Sequence, residues 1–201
     1  MFTCFRHYQG LVCAIAVTAG SLAAAQRQPI QIVQGTQIGK TAFEPGDTST
    51  GGLGQPVDGI EGSSREMLNV HIHAHLSIFS QGEQIAVPYG IGIVKPFDVK
   101  NGFVGNGAGI YWLHTHDATG IIHIESPDAR PYTLGNFFDI WGRTLSASDV
   151  AGLQGTVRIF VDGNPRSGNP RDITLTAHAQ ITLVIGDPLV TPPVYVFPAG
   201  L

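Results

Sequence analysis

The feature that most constrains the fold is the two-residue alternation over residues 69–80, NVHIHAHLSIFS. Apolar side chains at every second position predict a β-strand, because successive side chains of a strand point to opposite faces. The apolar face carries Val70, Ile72, Ala74, Leu76 and Ile78. The opposite face begins with His71, His73 and His75. The pattern that predicts a buried strand therefore also predicts a row of imidazoles along it.

A second histidine block, IYWLHTHDATGIIHIE, predicts a hairpin whose strands cover residues 110–116 and 121–125. Pairing Asp117 with Gly120 around a two-residue turn fixes the register and places His114 opposite His123. Opposed Cβ atoms lie roughly 4.5–5.5 Å apart, so two or three of these imidazoles can converge on one ion. One face of the hairpin then carries His114, His116, His123 and Glu125.

Six of the eight histidines fall in these two blocks, and imidazole is a common ligand of transition metals. His71 and His75 are about 13 Å apart on a straight strand, so all three imidazoles of the first block do not reach a single ion. We expect two of them, with His73 central, to join the second block, and two ions are an alternative. The predicted metal ligands are His71, His73, His75, His114, His116, His123 and Glu125.

Two further residues near these blocks have weaker claims on a metal. Asp117 lies at the predicted turn, where its carboxylate would support a ligand rather than bind the ion. His178 stands alone in the string TAHAQ and is an alternative remote ligand.

Residues 1–25 are predicted to be a cleaved signal peptide. Arg6 opens a weakly basic region, residues 11–19 are apolar but too short to span a membrane, and Ala23-Ala24-Ala25 offers a cleavage site. We therefore expect a secreted or periplasmic protein with no membrane span in the mature chain. Both cysteines, Cys4 and Cys13, would leave with the signal. A mature chain without thiols excludes cysteine-based zinc sites and copper sites of the His₂Cys type.

The remaining chain is predicted to form one mainly β domain, an antiparallel sandwich or barrel with one or two short helices. The β domain with the histidine site covers residues 61–186, after a flexible leader rich in Gly, Thr and Pro at 26–60. A Pro-rich tail at 187–201 is expected to be an extended appendage. One helix is predicted over Thr133–Trp141, with Thr133 as its N-cap and Gly142 as its stop, and a further turn of helix over 146–153.

The charge composition limits the classes of partner. Only 13% of residues are charged and the formal net charge is −4, which argues against an electrostatic grip on nucleic acid or an anionic membrane. A metal ion is the expected partner, and the sequence indicates no particular protein partner.

Five strings follow one another within residues 60–186: HIHAHLSIF, PYGIGIV, YWLHTHDATGIIHIESP, YTLGNFFDIWG and FVDGNP. In this order they resemble a largely uncharacterised family of secreted or membrane-anchored bacterial and archaeal proteins with HxHxHL and WLHTHDxxGxIHIExP motifs. The resemblance implies that both histidine blocks belong to one domain, and it implies no activity. Members of that family often carry a cysteine shortly before each block. This chain has glycine or serine at 62–64 and Ile110 there, so such a bridge is missing.

A weaker resemblance is to the cupins, which place a metal-binding His-x-His and a nearby Glu in a β-barrel. His114-Thr115-His116 is similar to the cupin string. The next carboxylate after Asp117 is Glu125, farther along the chain than the cupin pattern expects.

Three functions remain open on these residues. The first is a secreted transition-metal-binding protein for binding, storage or delivery, with copper before zinc because nitrogen ligands favour Cu(II). The second is a metal-dependent enzyme, a cupin-like oxygenase or hydrolase, in which a His/Glu site activates dioxygen or water and Glu125 or Asp117 acts as general base. The third is an interaction module switched by histidine protonation near pH 6.

Overall fold

A computed structural model describes residues 28–46 and 51–201 of the chain, so the predicted signal peptide lies outside the described residues. The fold is mainly β, as predicted, and its described strands form several sheets without closing into a barrel. The helical elements are α1 (Leu134–Trp141) and a 3₁₀ turn (Pro170–Asp172). The strands are β1 (Ile30–Gln31), β2 (Gly62–Ser63), β3 (Val70–Ser80), β4 (Glu83–Ile85), β5 (Ile93–Val94), β6 (Val99–Lys100), β7 (Phe103–Val104), β8 (Gly109–Tyr111), β9 (Leu113–His114), β10 (Ile121–Ser126), β11 (Asp149–Val150), β12 (Leu153–Gln154), β13 (Val157–Val161), β14 (Asn164–Arg166), β15 (Gln180–Ile185) and β16 (Tyr195–Val196).

The largest sheet has the strand order β14-β13-β15-β3-β10-β9, with β4 also paired to β3. Strand β3 lies in its middle, parallel to β15 on one side and antiparallel to β10 on the other. The apolar face of β3 packs into the main core through Ala74, Leu76 and Ile78. This burial fixes the register, because a shift of one residue would turn the histidines into the core.

Helix α1 covers this core and forms where the sequence predicts it. The side chain of Thr133 accepts the N–H of Asn136, and the Asn136 side chain bonds back to the backbone of Thr133. Gly142 ends the helix in the left-handed region, at φ 71°. The helix buries its apolar residues against the sheet: Leu134, Phe137, Phe138, Ile140 and Trp141.

Two local predictions are wrong. Residues 146–153 contribute to the β11–β12 hairpin instead of a helix, because Ala151 and Gly152 adopt positive φ and the Asp149 carboxylate accepts the Gly152 N–H. The predicted single strand over 110–116 is divided at Trp112 into β8 and β9. Strand β8 joins β2 and β5 in a separate sheet, in which Ser63 lies opposite Ile110.

The segments expected to be a mobile leader and an extended tail both pack on the domain. Strands β1 and β16 pair in parallel, and Ile32 and Tyr195 are buried together with Ile121. Phe43 is buried against Trp141, with ring centroids 5.1 Å apart. Ile32, Phe43 and Tyr195 anchor these segments, and so few buried side chains give no sustained periodicity in the sequence. No helix in the described ranges is both long and apolar enough to cross a membrane.

Candidate metal centre

Three adjacent strands bring the two histidine blocks together. In β10, Ile122 and Ile124 are buried in the main core, so His123 and Glu125 lie on the opposite face. His123 is paired with His114 of β9 on one side, which confirms the register predicted for the second hairpin. On the other side His123 is paired with His73 of β3, and Glu125 is paired with His71.

The resulting cluster contains two groups of side chains that can each hold a metal ion. Within each group the ligand atoms all lie within 4.8 Å of one another. The two groups share His123 and Glu125. The inner group consists of His114, His116, His123 and Glu125. The outer group consists of His71, His73, His123 and Glu125.

The separations between donor atoms match those around a transition-metal ion. Ligand atoms about 2.0–2.1 Å from a tetrahedral ion lie about 3.3 Å from one another. The Nε2 atoms of His114 and His116 are 3.0 Å apart. Glu125 Oε1 lies 3.2 Å from His123 Nδ1, 3.3 Å from His71 Nε2 and 3.9 Å from His114 Nε2. One carboxylate oxygen therefore reaches ligands of both groups.

Backbone carbonyls fix the tautomers of the two innermost imidazoles. His114 Nδ1 lies 2.8 Å from the Tyr111 carbonyl, and His116 Nδ1 lies 2.5 Å from the Val104 carbonyl. A carbonyl oxygen only accepts hydrogen bonds. Each ring in its neutral form therefore carries its one proton on Nδ1, and its Nε2 is unprotonated. In this neutral form the two Nε2 lone pairs face each other at 3.0 Å and repel, and either a shared proton or a metal ion would remove the repulsion. Donation of the second N–H to a carbonyl is the arrangement that orients histidine ligands of metals.

Two other buried atoms of the cluster have no hydrogen-bond partner among the residues that the structure describes. These atoms are Nε2 of His73 and Oε2 of Glu125. An unpartnered buried acceptor costs about 1–3 kcal/mol, and more when it is charged. A cation in the outer group would have both residues as ligands, so the residues present fit a metal ion.

Burial favours the neutral, metal-binding form of His73, His114 and His123. It is the largest cause that lowers the pKa of His114 and of His123 well below 6.5, and neighbouring histidines lower both further. Burial, followed by His71, lowers the pKa of His73 to about 4. Protons therefore compete weakly with a metal ion for these nitrogens near neutral pH.

His75 lies on the same face of β3 as His71 and His73 but belongs to neither group. Its Nε2–H donates to the Thr119 carbonyl at 2.9 Å, and the Ser77 hydroxyl lies 3.4 Å from its Nδ1. Its ring packs on the Tyr195 ring with the centroids 3.8 Å apart and the planes tilted by 30°. Gly120 allows the turn before β10 to lie close to β3, since a Cβ there would meet the Leu76 carbonyl oxygen at 2.5 Å and His75 Nε2 at 3.0 Å.

Asp117 and His178, the two alternative participants named from the sequence, also lie outside both groups. Asp117 accepts the N–H groups of Gly35 at 2.8 Å and Thr119 at 3.1 Å, so its carboxylate supports the turn. His178 is exposed, and its Nε2–H donates to the Leu201 carbonyl at 2.8 Å.

Sequence reasoning missed two neighbours of the centre. Glu66 Oε1 lies 3.5 Å from His116 Nε2, and the Phe103 ring stacks on the His116 ring with centroids 4.7 Å apart. Glu66 precedes the alternating strand in the string SSREM, where no periodic pattern distinguishes it. Phe103 lies in the Gly-rich string GFVGNGAG, and only the tertiary fold shows what its ring covers.

Comparison with known proteins assigns no family to this centre. No protein-family model matches the chain, and no curated protein or solved structure is significantly similar to it. The functional argument therefore rests on the geometry of the cluster.

Proposed function

We propose that this protein binds a transition-metal ion, with copper before zinc, and serves in metal binding, storage or delivery. The observation that carries the proposal is the pair of Nε2 atoms of His114 and His116, which lie 3.0 Å apart in a buried position while both Nδ1 atoms are held by backbone carbonyls. When both rings are neutral, neither has a proton left to bridge them. A metal ion would remove the repulsion and would also lie within reach of Glu125 Oε1, which is 3.9 Å from His114 Nε2.

The chemistry of the donors supports copper or zinc. Imidazole suits zinc, copper, iron and nickel, whereas calcium and magnesium prefer oxygen ligands. The inner group supplies three imidazoles and one carboxylate. At such a site the affinity order of divalent first-row metals places Cu(II) above Zn(II).

The number of donors favours binding over catalysis. Structural zinc sites take all four ligands from the protein, whereas catalytic sites take three and leave a position for water or substrate. The inner group already offers four, and Glu66 lies 3.5 Å from His116. The same four ligands would hold copper for storage or delivery without an open coordination position.

We also propose that the protein acts outside the cytoplasm. Support comes from the sequence alone, through the basic, apolar and small-residue regions of residues 1–25. Mass spectrometry of protein recovered from the host's exported fraction would test this. A mature N-terminus at Gln26 is expected, and an intact Met1 in exported protein would contradict cleavage.

Metal retention tests the main proposal. Purified protein is incubated with Cu(II) or Zn(II), desalted and measured by elemental analysis. Wild type is expected to retain metal, and the double variant His114→Gln/His116→Gln to lose most of it. His178→Gln is the matched control, because His178 is an exposed imidazole outside both groups. Wild-type protein that retains neither metal would refute the proposal.

A further inference from the structure

The two groups of metal ligands overlap, and the shared ligands relate the two sites to each other. His123 and Glu125 belong to both groups, whereas His71 and His73 belong only to the outer one. Two independent sites would each need their own ligands. Two groups with half of their ligands in common describe two neighbouring positions for an ion.

The two positions differ in their contact with solvent. The His71 side chain is 42% exposed, whereas the His114 side chain is fully buried. The imidazole rings between them form a continuous series: centroids are 4.8 Å apart from His71 to His73 and 4.5 Å apart from His73 to His123. From His123 the next ring is His116, again at 4.5 Å. His71 is the exposed ligand among the members of the two groups, so we expect an ion arriving from solvent to meet the outer group first.

Charge and ligand supply favour a single ion at any time. Glu125 is the only carboxylate in either group, and Glu66 is the one other carboxylate described beside these rings. Two divalent ions would place four positive charges in a buried space against two negative ones, which is costly. His123 would also have to ligate both ions, one through each nitrogen, which requires the loss of its last ring proton.

The outer position has its own indication of a ligand. His73 is 3% exposed, and its Nε2 has no hydrogen-bond partner in the described part of the chain. It is not needed to support the inner group, whose rings are oriented by the carbonyls of Tyr111 and Val104. A buried nitrogen of this kind is explained by an ion that occupies the outer group for part of the time.

We propose that His71 and His73 capture the ion at the surface and that it then passes to His114 and His116 while His123 and Glu125 remain bound. This inference rests on the proposed metal-binding function and adds a path to it. Two ligands are exchanged one at a time, so the ion is never released into the buried space. The same path in reverse would deliver the ion to an acceptor at the surface near His71.

Stopped-flow absorbance with Cu(II) tests the path. Wild type should show a fast phase whose rate rises with copper concentration, followed by a slower phase independent of it. His114→Gln/His116→Gln should keep only the fast phase, and its copper should be removed rapidly by a chelator. His71→Gln should slow loading and chelator removal by the same factor, about tenfold, which corresponds to a barrier change of about 1.4 kcal/mol. His178→Gln should load at the wild-type rate.

Several outcomes would overturn the path while leaving metal binding intact. Two copper ions held by wild type at saturation would show two simultaneous sites. A loss of affinity in His71→Gln with an unchanged loading rate would make His71 an ordinary ligand of one final site. The absence of copper from wild-type protein would instead refute the proposed function itself.

Discussion

His73 and His75 are two residues apart on the same face of β3, yet their surroundings differ in kind. His73 lies beside His123 in the metal cluster, with an unpartnered Nε2. His75 lies beside Ile121, donates to the Thr119 carbonyl and packs on the ring of Tyr195. Both side chains point to the same side of the sheet, so the difference comes from the neighbouring strands and from the segments that cover each ring. The end of this face at His73 can bind a metal ion, and we call it the metal end. At the other end the hydrogen bond of His75 is satisfied within the protein, and we call it the packed end.

The largest effect is expected at the packed end. Tyr195→Ala removes the ring that covers His75 and should lower the free energy of unfolding by about 4 kcal/mol, as for other buried aromatic residues. Because Tyr195 belongs to neither group, copper affinity of the folded protein should stay within about threefold of wild type. Chemical denaturation and chelator competition measure the two quantities. Tyr195→Phe, which keeps the ring, is the control. A large loss of copper affinity in folded Tyr195→Ala would show that the two ends are not separate.

A matched pair of histidine variants compares the two ends directly. His123→Gln removes a ligand that both groups share and should weaken copper binding at least about 100-fold, or about 2.7 kcal/mol. His75→Gln has the same change of side chain on the same sheet face and should leave copper affinity within about threefold. Chelator competition gives both values. Equal losses in the two variants would contradict the division into a metal end and a packed end.

The packed end should also respond to alkaline pH. Burial raises the pKa of Tyr195 above its ordinary value of 10, so the folded protein keeps a proton that the unfolded chain loses above pH 10. The free energy of unfolding should therefore fall by up to about 1.4 kcal/mol per pH unit until the folded-state pKa is reached. Tyr195→Phe has no such proton and should show a shallower slope. Identical slopes for wild type and variant between pH 10 and 11.5 would refute this contribution.

The smallest effect is expected from the aromatic support of the metal end. Phe103 stacks on His116 at an interplanar angle of 14°. Phe103→Leu keeps an apolar side chain but loses the stacking, worth about 0.5–1.5 kcal/mol. Copper affinity should fall about two- to tenfold through looser orientation of His116. A wild-type affinity in this variant would leave the Val104 carbonyl as the sufficient support of the ring.

The sequence predicts the metal end better than the packed end. Alternation and the Asp117–Gly120 turn define the faces and the His114–His123 register, because both are local properties of a hairpin. That β3 adjoins β10 is a long-range pairing, so the sequence left open whether His71 or His75 joins His73 in the cluster. Glu66 comes from a loop outside any repeating pattern. The packing of residues 28–46 and of the tail depends on single apolar anchors such as Phe43 and Tyr195.

The parallel pair of β1 and β16 joins parts of the chain about 165 residues apart, since Ile30 is paired with Tyr195. Closing so long a loop costs more conformational entropy than forming the β9–β10 hairpin, and it is therefore slower. We therefore expect this pair to form late in folding, after the central sheet is in place. Until then the histidine face of β3 is uncovered at its His75 end. The last step of folding would thus cover the His75 ring with Tyr195 and leave His71 as the exposed imidazole of β3.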